Sequence, residues 1–258
     1  SKSRFSAKSD LNMAIKTTLN YSPNFNPKKR NIKQIKFIIF HYTGMKKESE
    51  AIKKLTNIQS EVGCHYFIKN NGDIVTLVPD LYVAWHAGKS SWKNYKSLNK
   101  NSIGIEISNP GHQHKYKKFS NKQISSLLRL SKFLIKKYKI NSKNILGHSD
   151  IAPDRKKDPG EKFPWKYFSK NKVGLWHTLN KDMLKKNRTI KIDDTNKKYF
   201  LNNLLKIGYS NKIQKKAGKD KHKHTIFIIR AFQRRFRPEL INGKIDKECL
   251  LISNNLHK

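Results

Sequence analysis

Apolar residues along this chain fall into two rhythms, one of period two and one near 3.6, and the switches between them mark its elements. Ile35 to His41 is nearly continuous in apolar side chains, the pattern of a buried strand that delivers His41 at its carboxyl end. Glu50 to Ile58 predicts a short helix. His65 to Lys69 and Asp73 to Val78 predict strands on either side of Asn70-Asn71-Gly72, whose Asn-Gly pair favours a tight hairpin. In Ser102 to Ser108, Ile103, Ile105 and Ile107 alternate with Glu106, so the pleat sends Glu106 to the opposite face. Ser120 and Gln123 form a capping box ahead of Ile124, Leu127, Leu128, Leu134 and Tyr138, which predicts the longest helix and puts that stripe in the core. Asn144 to Leu146 predicts a short strand leading into Gly147-His148. Strands interleaved with helices predict an α/β fold, a central β-sheet flanked by helices.

The flanks follow neither rhythm for long. Residues 1–30 are polar, carry Pro23 and Pro27, and predict an extended N-terminal arm lying on the main domain of residues 31–180. Residues 181–196 are again polar and aperiodic, as expected of a linker. Beyond them, Tyr199 to Ile207, Thr225 to Phe236 and Asp246 to Leu256 are helical in pattern and separated by turns at Gly208 and Gly243, predicting a small C-terminal three-helix domain over 197–258.

Composition narrows the partner. Lys and Arg number 56 against 18 Asp and Glu, a net charge of +38 that attracts any polyanion. Only nine of the 56 basic residues are arginine, whose planar fork reads phosphate and base edges, and the lysines are spread over nearly every segment. Lysines so dispersed read as a solvated surface or a biased codon supply, with adhesion to an anionic envelope as the alternative. Nucleic acid is expected only as non-specific attraction that salt would collapse. Cys64 and Cys249 are too few and too far apart for a disulfide framework or a Cys-rich zinc site and are expected to be buried small hydrophobes. No run of roughly 18 apolar residues predicts a membrane span.

The candidate chemistry rests on His41, His148 and Asp158. Zinc prefers a tetrahedral set of nitrogen, sulfur or carboxylate ligands, and catalytic sites commonly take three from protein and keep the fourth open. Amide hydrolysis also needs a carboxylate to move protons and a cation to meet the oxyanion. Glu106 is the candidate base, and Lys156, two residues before Asp158, the candidate cation. Singly, each has an ordinary reading: a hydrogen-bonded strand-end His, a turn at Asp158-Pro159-Gly160, a surface carboxylate, one lysine among many.

His41-Tyr42-Thr43-Gly44, Cys64-His65-Tyr66-Phe67-Ile68, Ala84-Trp85-His86-Ala87-Gly88, Leu98-Asn99 through Ser102-Ile103-Gly104-Ile105-Glu106-Ile107, and Gly147-His148-Ser149-Asp150-Ile151-Ala152-Pro153 occur in order, followed by Arg155 to Gly160 and Phe163-Pro164-Trp165. Together they resemble the zinc-dependent N-acetylmuramoyl-L-alanine amidases of the type-2 amidase family, in its AmiD and AmpD branch. The resemblance covers roughly residues 31 to 177. It implies a mixed central sheet, one zinc per chain on His41, His148 and Asp158, catalysis by Glu106 and Lys156, and a peptidoglycan or muropeptide substrate. It also implies a cleft lined by Tyr42, His65, Trp85, His86 and Asn109. Cys64 departs from the Ser that relatives commonly carry there and is expected to be inert.

Ala231-Phe232-Gln233-Arg234-Arg235-Phe236-Arg237-Pro238, followed by Asn242-Gly243-Lys244-Ile245-Asp246, resembles the three-helix peptidoglycan-binding module found behind such domains. The chain opens Ser1-Lys2-Ser3-Arg4 without an initiator Met, which suggests a trimmed start and export signal, and a place in the cell envelope or periplasm is expected. Two rival readings stand beside it: a muropeptide-binding module without catalysis, which typically lacks a metal ligand, and a basic nucleic-acid-binding protein.

Overall fold

The computed structural model describes residues 14–209 and 218–257; residues 1–13 of the expected arm lie outside the described residues. The strands in chain order are β1 (Thr18–Leu19), β2 (Phe25–Asn26), β3 (Phe37–Tyr42), β4 (Tyr66–Ile68), β5 (Ile74–Thr76), β6 (Val83–Ala84), β7 (Ser91–Trp92), β8 (Tyr95–Lys96), β9 (Ser102–Ile107) and β10 (Ile145–Gly147). The α-helices are α1 (Glu48–Thr56), α2 (Asn121–Tyr138), α3 (His148–Ile151), α4 (Trp165–Lys170), α5 (Lys181–Asn187), α6 (Asp194–Ile207), α7 (Gly218–Phe236) and α8 (Lys247–Leu256).

A six-stranded sheet in the order β1-β5-β4-β9-β3-β10 organises the molecule. Only β4 and β5 pair antiparallel within it, around the Gly72 turn at φ +88°, so the sheet is mixed. The pleat divides its faces. Ile38, Phe40, Ile103, Ile105, Ile107 and Ile145 point to one side and pack with Leu127, Leu130 and Leu134 of α2 and Phe168 of α4. The Ser120–Gln123 capping box closes the start of α2 in both directions, at 3.1 and 3.0 Å.

The other face is shared. Over β4 and β5, Ala51 and Leu55 of α1 cover Phe67, Val75 and Leu77. Over β3 and β10, Phe37, Ile39 and Leu146 join Phe200, Leu204, Phe232, Phe236 and Ile252 of the C-terminal helices in one continuous apolar cluster. Between them β9 presents Ser102, Gly104 and Glu106, small or polar residues that leave room for a cleft.

Two stretches carry more regular structure than their sequence patterns predict. The arm does lie on the domain from residue 14 onward, but it also pairs: β1 adds a parallel edge to β5 and β2 joins β6. Within the stretch 181–196, Lys181–Asn187 is helical, capped by the Asn180 side chain on the amides of Asp182 and Met183. Its single buried apolar residue, Leu184, is too little for a visible period. The tail helices appear where their patterns predict them, with α6 and α8 capped by Asp193 and Asp246.

Candidate metal centre and active site

Parallel strands bring the candidate residues to one edge. β3, β9 and β10 run the same way, and their carboxyl ends open on the same side, where sites in open α/β sheets usually form. His41 pairs in register with Glu106 on the neighbouring strand, so the two side chains share a face. Gly147 pairs with Phe40, so His148 follows one step beyond, beside His41. Asp158 returns to the same point because its carbonyl accepts the Ser149 amide at 2.9 Å, and because Gly147 has no side chain: a Cβ there would lie 2.7 Å from Pro159 Cδ.

Three ligand atoms result from this convergence. His41 Nδ1 and His148 Nδ1 are 2.9 Å apart, and Asp158 Oδ2 lies 3.2 and 3.1 Å from them. All three residues are buried. A tetrahedral zinc with bonds near 2.0–2.1 Å spaces its ligands by about 3.3 Å, so this triangle fits such an ion with small adjustment. Each ring spends its other nitrogen elsewhere, His148 Nε2 on the Ala87 carbonyl and His41 Nε2 on His86. The Nδ1 atoms are the ones turned toward the common point.

Electrostatics favour the same use. Burial, reinforced by the neighbouring His148, pulls His41 down to about 4, which keeps its ring neutral and able to coordinate. Burial alone would raise the Asp158 carboxyl, yet its contacts with the two imidazoles hold it well below the usual carboxylate range. Glu106 is pushed well above its ordinary value by burial and then by Asp158, while Lys156 and Lys54 oppose the shift. Its buried Oε2 has no hydrogen-bond partner among the described residues. A buried carboxyl oxygen with no protein partner, set beside the triangle, is chemically able to exchange a proton with a group placed in the cleft.

These residues floor a cleft of about 420 Å³, walled by Tyr42 to Met45, by Lys54 and Leu55 of α1, by His112 and by Arg155 to Asp158. The structure gathers His41, His148, Asp158, Glu106 and Lys156 at this one place. Of the five expected lining residues it brings only Tyr42 and His86 to the cleft. His65 is fully buried, its Nδ1 accepting the Gly104 amide and its Nε2–H facing the Tyr82 carbonyl. Asn109 is buried too, donating to the Lys117 carbonyl and accepting from Gly111. Trp85 donates to Asn26 of the arm. These three hold the fold around the cleft rather than line it. Cys64 is buried and its thiol is pushed well up by burial, consistent with inertness.

Sequence reasoning missed Lys54, Arg155 and His112. The last had a signal, since Pro110-Gly111-His112 is a turn within five residues of the carboxyl end of β9, on the side where His41 and His148 emerge. His112 Nε2 donates to Glu161 Oε2 at 2.9 Å, and its Nδ1 accepts from the Tyr42 hydroxyl at 2.8 Å. Burial raises that phenol to about 12, so it stays a donor.

Acid should destabilise the metal-free protein. Burial holds His41 at about 4, His65 at about 3 and His86 well below its ordinary value. Each is a base whose folded pKa is depressed, so the unfolded chain binds the extra proton first. Stability is then complete above about pH 6.5 and falls as pH drops toward 4, by up to ~1.4 kcal/mol per pH unit for each group. Glu106, raised in the fold, works in the opposite sense. The urea midpoint of chelator-treated protein is expected to fall between pH 7 and 4.5, and more steeply in Glu106→Gln. A flat midpoint across that window would contradict the burial of neutral imidazoles.

Comparisons with known proteins bear on the fold and the family. The family model described as N-acetylmuramoyl-L-alanine amidase, the type-2 amidase, matches residues 31–161. AmiD of Escherichia coli is 34% identical over 238 residues, which are 86% of this chain and 82% of AmiD. The structure of AmiD from E. coli with its substrate anhydro-N-acetylmuramic acid-L-Ala-D-gamma-Glu-L-Lys superposes with a TM-score of 0.74 at 32% identity, over 90% of this chain and 91% of that one. AmpDH3 of Pseudomonas aeruginosa in complex with anhydromuramic pentapeptide gives 0.73 at 30% identity, over 90% and 93%. The likeness to both structures thus runs past residue 161 into the helical tail. On the matched family model and the identity to AmiD over most of both chains, this chain belongs to the N-acetylmuramoyl-L-alanine amidase family.

Proposed function

We propose that this chain is a zinc-dependent amidase that hydrolyses the amide between the lactyl group of N-acetylmuramic acid and the L-alanine of the stem peptide, in anhydromuropeptides or peptidoglycan. The observation that carries this reading is the buried triangle of His41 Nδ1, His148 Nδ1 and Asp158 Oδ2 beside the orphaned Glu106 Oε2. Zinc bound there supplies Lewis-acid activation of water and of the scissile carbonyl. The chain's own residues do the rest. Glu106 takes the proton from the attacking water and passes it to the departing alanine nitrogen, a role its raised pKa suits. Lys156, at the cleft wall, sets its ammonium against the oxyanion. Tyr42, held by His112, orients the substrate from the wall beyond His41.

In the same reading residues 31–180 carry the reaction, and the helical tail holds wall polymer beside the cleft. The protein works in the cell envelope or periplasm, where such substrates are met. No helix among the described residues is long and apolar enough to cross a membrane. A binding module without catalysis is disfavoured because all three ligand residues are present and converge.

Mass spectrometry of anhydromuropeptides incubated with the protein, with and without a chelator, tests the proposal. Free stem peptide is expected from protein that retains zinc and none after chelation, with activity restored by added zinc. Undiminished release from thoroughly metal-depleted protein would overturn it.

A further inference from the structure

Behind the two imidazole ligands lies the segment Trp85–Gly88, which the reaction itself does not use. For His148 the relation is simple. Its Nε2 is 3.1 Å from the Ala87 carbonyl, which can only accept, so the ring carries its proton on Nε2 and leaves Nδ1 bare. His41 has no carbonyl behind it. Its Nε2 lies 3.0 Å from Nδ1 of His86, a group able to donate or accept, and this contact alone does not decide which nitrogen of His41 keeps the proton.

The decision is made two links further on. His86 Nε2 is 3.0 Å from Ser102 Oγ, and Ser102 Oγ is 2.7 Å from the Leu98 carbonyl. That carbonyl can only accept, so the hydroxyl donates to it. The Ser102 oxygen then accepts from Nε2–H of His86, Nδ1 of His86 is left as a lone pair, and it accepts Nε2–H of His41. His41 Nδ1 is bare as a consequence. Were the hydroxyl turned toward His86, every proton would shift one place, and His41 would carry N–H on Nδ1, pointed at His148 Nδ1 only 2.9 Å away.

We propose that His86 and Ser102 are positioning residues which, anchored on the Leu98 carbonyl, hold His41 in the tautomer that binds metal. The inference rests on the zinc reading of the site. The surroundings are built around this chain of bonds. A Cβ at Gly104 would lie 2.3 Å from His86 Cγ, so β9 accepts the ring only because residue 104 has no side chain. Asn99 Oδ1 accepts the amides of both His86 and Ala87, at 3.1 and 2.7 Å, fixing in one stroke the groups behind each ligand. Ser102 is wholly buried, so no solvent competes for its hydroxyl. The Trp-His-Ala-Gly and Leu-Asn to Ile-Gly-Ile-Glu motifs acquire a shared purpose: metal-ligating imidazoles need their far nitrogen fixed, and loss of such a partner typically weakens metal binding ~10–100-fold.

Two variants and two measurements test this. Zinc affinity is read by competition with a chromophoric chelator, and the imidazole tautomers of the metal-free protein by long-range proton–nitrogen NMR. Ser102→Ala is expected to bind zinc ~10–100-fold more weakly and to move the His41 proton from Nε2 toward Nδ1. His86→Gln, whose amide offers an acceptor to His41 and a donor to Ser102 at once, is expected to stay near the parent in affinity. A Ser102→Ala protein with parental zinc affinity and His41 still protonated on Nε2 would overturn the proposal, as would His86→Gln weakened as much as Ser102→Ala. Failure of the parent protein to bind zinc would instead sink the metal reading, and the NMR spectra would still decide the tautomer.

Discussion

Glu106→Gln is expected to lower kcat on anhydromuropeptides by ~10²–10⁴-fold while zinc content stays at one per chain, because the amide keeps the shape of the side chain but cannot carry a proton between water and leaving group. The geometry makes this separation of roles clean. Glu106 stands on β9 beside His41, yet none of its oxygens belongs to the ligand triangle. KM should change little, since the lost interaction belongs to the transition state. Metal analysis alongside single-turnover kinetics checks the result: a variant that retained zinc and hydrolysed at the parental rate would remove Glu106 from the mechanism. The same substitution relieves the cost of burying a carboxyl whose ionised form is disfavoured, so Glu106→Gln should be at least as stable as the parent near pH 7.

The second large effect lies away from the cleft. Asp150, two residues after His148, is buried, and its Oδ2 accepts from the Gly147 amide at 2.9 Å and from Arg235 Nη1 of α7 at 2.7 Å. Tyr209 donates to Oδ1 at 2.7 Å, and the Arg235 guanidinium stacks 4.0 Å over the Trp165 ring. Arg234 adds a hydrogen bond to Ser149 at 2.8 Å. Arg235→Ala would leave a buried carboxylate without its counter-charge, and removing one member of such a pair typically costs about 3–5 kcal/mol. Urea unfolding is expected to show a loss of that order, and Asp150→Asn combined with Arg235→Met should recover much of it by removing both charges. Equal loss in the single and double variants would mean that stacking on Trp165, not the ion pair, carries the contribution.

Legibility in the sequence followed the range of the interactions. Strand ends bearing His41 and His148, the hairpin at Gly72 and the capped α2 were readable because period, turn and cap are local signals spanning a few residues. The convergence of Asp158 on the two imidazoles was not readable from period; it entered through motif resemblance, and it depends on Gly147 admitting Pro159 at close range. His65 and Asn109 were expected in the cleft through the resemblance alone, whereas their polar atoms are consumed by the backbone at Gly104, Tyr82, Lys117 and Gly111. The tail illustrates the same limit. Its helices could be located from apolar spacing, but nothing within α7 announces that Arg235 would reach a partner 85 positions away. Helix α5 escaped for the opposite reason, being short and mostly exposed.

Four cations, Lys54, Arg155, Lys156 and Lys157, share the wall of the cleft. On the proposed reaction a neutral amide becomes two charged ends, a lactate carboxylate on the sugar and an ammonium on alanine. A wall of one sign draws the new carboxylate toward it. On the proposed reaction, the charges that meet the oxyanion also hold the acid end of the muramic product.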